Sequence, residues 1–129
     1  MKKHVLATTI MSKKIPDFTD TQVWTVTDSL KERFRAEIDV QLIESEVRIH
    51  PHDRELTEVP GLYWQAEDCN FIILKTGQNR FRCQFFYRVH QQYGTGIDEY
   101  DDLTDCIVSL LQVQSDQARN SQQDQDGAG

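Results

Sequence analysis

No stretch of this chain comes near the roughly 18–20 consecutive apolar residues that a membrane-spanning helix requires. Positive charge is scarce as well: 14 Lys and Arg stand against 21 Asp and Glu, for a net charge of −7. That balance argues against a nucleic-acid partner, whose affinity rests on a basic footprint. It argues equally against binding to an anionic membrane surface. Cysteine is limited to Cys69, Cys83 and Cys106, an odd and widely spaced set with no metal-ligand spacing, and therefore a poor disulfide framework. Reduced thiols in a reducing compartment are expected, with Cys83 and Cys106 as small buried apolar residues in apolar surroundings. No secretory leader is expected from the N-terminal residues. Val5-Leu6-Ala7 is interrupted by Thr8-Thr9, and Lys13-Lys14 follow almost at once, so the segment is too short and polar to direct export. Met11 before Ser12 could itself be an initiator, and a cytoplasmic location is expected.

What remains suits one domain. The 129 residues match the usual domain size of about 100–150. The 38% hydrophobic content is enough for a single core. Residues 1–16 read as a flexible extension and 17–114 as the domain. Residues 115–129, which contain no large apolar side chain, read as a disordered polar tail.

Within the domain, Phe18-Thr19-Asp20-Thr21-Gln22-Val23 has the form of a capping box, Thr19 and Gln22, bracketed by a hydrophobic staple. Val23, Val26 or Thr27, Leu30 and Phe34 then recur at helical spacing, which predicts a helix over about 20–35. Alternation follows, with Ile38, Val40 and Leu42 on one parity and Val47 and Ile49 on the other; the change of parity calls for a bulge or turn near Glu44-Ser45. Residues 51–61 read as a polar loop closed by Pro60-Gly61. Strands are expected at about 62–66, 70–75 and 80–90, broken at Glu67-Asp68 and by a hairpin turn over 76–79. Tyr100, Leu103, Ile107, Leu110 and Leu111 predict a second helix over about 98–114, with Asp98, Glu99, Asp101 and Asp102 in its first turn, where the helix dipole favours negative charge. The expected fold is α+β: a helix, an antiparallel meander of four or five strands, and a helix, with both helices on one face of the sheet. Trp64 shares a parity with Leu62 and Ala66 and is expected in the core, as is Trp24 by default.

Motifs for chemistry are weak. His50, His52 and Asp53, with His90 elsewhere, are residues that suit zinc or copper, but they need convergence from separate segments. Gly94-Thr95-Gly96 precedes a helix, yet four carboxylates follow and no P-loop lysine does, so a phosphate site is rejected. The acidic cluster 98–105 reads as solvated capping. Cys69 lies between Asp68 and Asn70 with no positive neighbour to activate it, and no serine has a histidine and acid placed beside it. No catalytic residue, metal or cofactor is therefore expected. The best candidate is the outward row of the last strand, where Arg80, Arg82, Arg88 and His90 surround Phe86. Arginine and aromatic residues are enriched at the energetic centres of interfaces. The competing reading pairs these arginines with Glu44, Glu46 or Asp39 on neighbouring strands.

Four stretches carry a family resemblance: GLYWQ at 61–65, FRCQFFYR at 81–88, EYDDL at 99–103, and the polar tail. Over about 18–129 the chain resembles a small accessory protein of cyanobacterial carboxysomes. The resemblance implies a flexible C-terminal extension docked on a shell hexamer while the folded part engages another component. The tail, with Gln122, Gln123, Asp124, Gln125 and Asp126, thereby becomes a second candidate contact. The layout is also similar to that of small secretion-type chaperones, which are acidic, dimeric and bind extended partner segments, although layout alone does not fix function. The expectation is a non-enzymatic adaptor or assembly factor, monomer or homodimer, whose partner is another protein. The alternatives are such a chaperone, or a metal-dependent hydrolase built on His50, His52 and His90.

Overall fold

The computed structural model describes residues 15–88 and 91–128, with side chains as far as Asn120. His90, most of the expected N-terminal extension and the side chains of Gln122 to Asp126 lie outside the described residues.

The first helix, α1, runs from Asp20 to Phe34. Thr19 caps it with extended backbone, and its hydroxyl accepts from the Gln22 amide at 3.1 Å. The Gln22 carboxamide oxygen accepts from the Thr19 amide at 2.9 Å, which completes the box read from the sequence. At the other end Arg35 takes the left-handed conformation (φ 57°) and donates to the Lys31 carbonyl. Val26 and Leu30 are fully buried, and Val23 and Phe34 pack against the same core. Trp24 corrects an expectation: it sits one position off the apolar stripe, turned about 100° from Val23, and is 63% exposed.

Five antiparallel strands follow in a meander, ordered β1-β2-β3-β4-β5 across the sheet: β1 Gln41–Val47, β2 Thr57–Ala66, β3 Cys69–Gly77, β4 Arg80–Phe86 and β5 Gln92–Tyr93. The bulge expected at Glu44-Ser45 is absent. β1 keeps an unbroken register from Gln41↔Tyr63 to Val47↔Thr57, and the change of parity arises because Ile38 and Val40 precede the strand while Ile49 follows it. The expected loop over 51–61 is also shorter, since Thr57 to Gly61 already pair with β1. Pro60 is tolerated there because β2 begins to pair with β3 only at Gly61, so its missing N–H leaves no gap in that ladder. Glu67 and Asp68 form the next turn with φ of 53° and 63°, the pair of left-handed residues that suits a two-residue hairpin.

One side of the sheet carries the core. Leu62, Trp64, Phe71, Ile73, Phe81 and Phe85 pack with Val26 and Leu30 of α1 and with Leu103, Cys106, Ile107, Leu110 and Leu111 of the second helix. Both helices thus lie on one face, and the fold is the expected α+β arrangement. Trp64 stacks on Phe71 with ring centroids 5.3 Å apart. Lys75 occupies the same row and is 1% exposed. Its ammonium group donates to the Asp17 carbonyl and to the Gln22 carboxamide oxygen, each at 2.9 Å, so the helix cap is tied to the sheet.

The second helix, α2, spans Leu103–Ala128, and both of its ends differ from expectation. It starts five residues later because Tyr100 exchanges two backbone hydrogen bonds with Phe81 and holds the chain extended along β4. Asp102 then caps the helix: its carboxylate accepts from the Thr104 amide at 2.9 Å. The tail expected to be disordered from Ser115 is helical instead. Gln114 is buried with its amide donating to the Tyr87 hydroxyl at 3.2 Å, and residues 115–117 remain half-buried. Once those turns are packed, each further residue adds one backbone bond, and Gln, Arg and Ala are good helix formers. Among the described residues no helix is long and apolar enough to cross a membrane.

Candidate protein-interaction surface

Strand alternation puts a second set of side chains on the side away from the helices. The register assembles them in rows: Ile43, Gly61, Leu74 and Arg82; then Gln41, Tyr63, Ile72 and Gln84; then Gln65, Asn70, Phe86 and Gln92. Ile43, Tyr63, Ile72, Leu74 and Phe86 are each half-buried, in contrast to the fully buried row beneath the helices. Gly61 permits this arrangement. A Cβ there would stand 2.8 Å from Leu74 Cδ2 and 3.0 Å from Ile43 Cγ1, so these two side chains meet over the glycine. Tyr63 donates to the Asn70 carboxamide oxygen at 2.6 Å, and Asn70 donates to the Phe86 carbonyl at 3.1 Å. That relay fixes the aromatic end of the patch across three strands.

The opposite end is polar. Glu99 accepts from the Thr76 hydroxyl at 2.7 Å, from Arg82 Nε at 3.1 Å and from Arg80 at 3.3 Å. Burial alone would raise the pKa of this carboxyl. The Thr76 hydroxyl and the Arg82 and Arg80 guanidinium groups outweigh burial and hold it below its ordinary value. Arg82 also donates to the carbonyls of Arg48 and Ile49, pinning the β1–β2 connection against the sheet. The competing sequence reading is therefore right in kind but not in partner: Arg80 and Arg82 are paired, with Glu99 rather than with Glu44, Glu46 or Asp39. In the sequence Glu99 reads as part of the first turn of a helix, but that helix starts later, at Leu103. Arg82 serves the fold, Arg80 and Arg88 are exposed, and Phe86 belongs to the apolar patch.

Ile43, Tyr63, Ile72 and Leu74 were missed by the sequence reading. The available signal was Asn70-Phe71-Ile72-Ile73-Leu74, which is apolar on both parities, the pattern of a strand that faces water on neither side.

Nothing about the thiols favours nucleophilic chemistry. Burial pushes the Cys69 thiol up to about 11. A hydrogen bond with Cys83, followed by burial, raises Cys106 well above the thiol range. Among the described residues no three His, Cys, Asp or Glu side chains converge as metal ligands. The His50 amide donates to the Asp53 carboxylate within its own loop. Comparison of the chain with protein-family models, curated proteins and solved structures finds no match.

Proposed function

We propose that the protein is a non-enzymatic adaptor or assembly factor that docks another protein on the helix-free side of its sheet. One observation carries this reading: Ile43, Tyr63, Ile72, Leu74 and Phe86 form a contiguous apolar patch on a face that neither helix covers. A contiguous, partly accessible apolar area rimmed by polar groups is the kind of surface that supports an interaction site. At the polar end of that face Arg80 and Arg82 are already paired with Glu99. The resemblance to carboxysome accessory proteins supplies the first partner to test, a shell hexamer. It also makes the C-terminal residues 115–129 a second contact. Two weak contacts on one chain raise avidity through effective concentration without any stronger single site.

The experiment is a titration of purified shell hexamers with three full-length or near-full-length proteins: the wild type, Ile72→Asp, and a chain ending at Asn120. Ile72→Asp places a charge in the middle of the patch and should reduce affinity at least about tenfold, the scale of a central interface residue. The shortened chain should lose affinity by a separate factor. Unchanged binding by Ile72→Asp at an unchanged melting temperature would remove the sheet face from the mechanism.

A further inference from the structure

β1 is the margin of the sheet, and among the described residues it pairs with β2 alone. At the other side of the sheet the two-residue β5 and the Tyr100 bridge border β4, which leaves only a very short edge there. The helices also stop short of β1. Leu42 pairs with Leu62 and so stands on the helix side, yet it is 72% exposed while Leu62 is fully buried. Glu44 and Glu46 share that side and are exposed. Between β1 and the start of α1 lies a cleft of about 420 Å³ lined by Phe18, Val23, Leu42 and Pro60 together with Asp20 and Glu44.

A free strand edge is a template for another strand, and proteins usually guard it with lysine, proline, a bulge or a covering loop. β1 has no lysine, no proline and a regular register. Its two carboxylates are its guard, and they are selective. A second copy paired antiparallel over the full seven residues would set Glu44 against Glu44, and like charges directly opposite are destabilising. The net charge of −7 opposes that approach further. A basic strand meets no such barrier.

We infer that β1 accepts an extended basic segment of a partner protein as a sixth, antiparallel strand, with Lys or Arg opposite Glu44 and Glu46 and an aliphatic side chain opposite Leu42 beside the cleft. Backbone bonds along the edge supply affinity and the alternating side chains supply selectivity, as in strand addition generally. The recognised pattern, read along the incoming strand, is basic-x-basic-x-aliphatic. This surface is separate from the helix-free face, and neither proposal depends on the other.

The test is hydrogen exchange and chemical-shift titration of the full-length protein with the peptide acetyl-TKTKTVT-amide, and with acetyl-TETETVT-amide as its charge reversal. The basic peptide should protect those β1 amides that do not bond to β2, shift Leu42 and Val23, and bind more weakly as salt rises. Glu44→Lys/Glu46→Lys, two exposed substitutions, should weaken it about tenfold and make the acidic peptide the better ligand. Several results would overturn the inference. These are no binding of the basic peptide, equal binding of both peptides, or shifts confined to Tyr63, Ile72 and Phe86. Protection of the outward β1 amides in the free protein would do so as well: independent of concentration it means the chain's own residues cover the edge, and dependent on concentration it means a second copy does.

Discussion

Gln22 does two jobs with one oxygen. Its carboxamide closes the helix cap by accepting from Thr19 and also accepts from the buried ammonium group of Lys75. Burial lowers the Lys75 pKa and the Asp17 charge offsets part of that, so this cation depends on its few partners. Thr19→Ala should cost about 0.5–2 kcal/mol, the usual range for a lost N-cap. Gln22→Ala removes the same box and also strips a partner from a buried charge, so it should cost more, about 1–3 kcal/mol above the cap alone. Urea unfolding of the two variants checks the order, and an equal or smaller loss for Gln22→Ala would contradict the double role. Gly61 works at the same scale on the other side of the sheet. Gly61→Ala should fold but lose about 1 kcal/mol, because Leu74 and Ile43 must swing outward to admit the methyl group. A heat or urea midpoint equal to that of the wild type would show that the two side chains do not meet there.

At the scale of elements, the end of α2 separates what packs from what projects. Gln114 is buried and residues 115–117 are half-buried, whereas 118–120 are exposed. A chain ending at Asn120 should therefore melt within about a degree of the full-length protein. One ending at Val113 should melt several degrees lower, because it lacks the Gln114 bond to Tyr87. Differential scanning calorimetry distinguishes the two, and equal melting of both would mean that the last packed turn contributes nothing. This helix also marks how far the sequence could be read. α1 was legible because its cap, staple and stripe are all local signals between Phe18 and Phe34. The inward and outward rows of β4 were legible because they alternate cleanly. The start of α2 was not, since the bond that holds Tyr100 extended comes from Phe81, nineteen positions away, and no local pattern records it. The apolar patch was hidden for a related reason: its members come from β1, β2, β3 and β4, and only the register brings them together.

At the scale of the whole molecule, Glu99 ties the loop before α2 to β3 and β4 while Arg82 ties the β1–β2 connection to the same spot. The carboxyl is held below its ordinary value of 4.5, so the folded state binds fewer protons there than the unfolded chain does. That stability is present above pH 4.5 and is lost as pH falls through the folded-state value. Glu99→Gln should flatten the acid limb of the stability–pH profile below about pH 5, and an unchanged limb would show that the cluster contributes nothing to acid sensitivity.

Among the described residues these ties frame one side of the sheet, and the half-buried apolar patch lies beside them. Hydroxyl-radical footprinting of the full-length protein, alone and saturated with shell hexamers, tests most directly the central proposal, docking on that patch. If the sheet face is the docking surface, labelling of Tyr63, Ile72, Leu74 and Phe86 should fall on binding, while the exposed helix residues Trp24 and Val108 are labelled as before. Unchanged labelling of the four sheet residues, or protection confined to Trp24 and Val108, would contradict it.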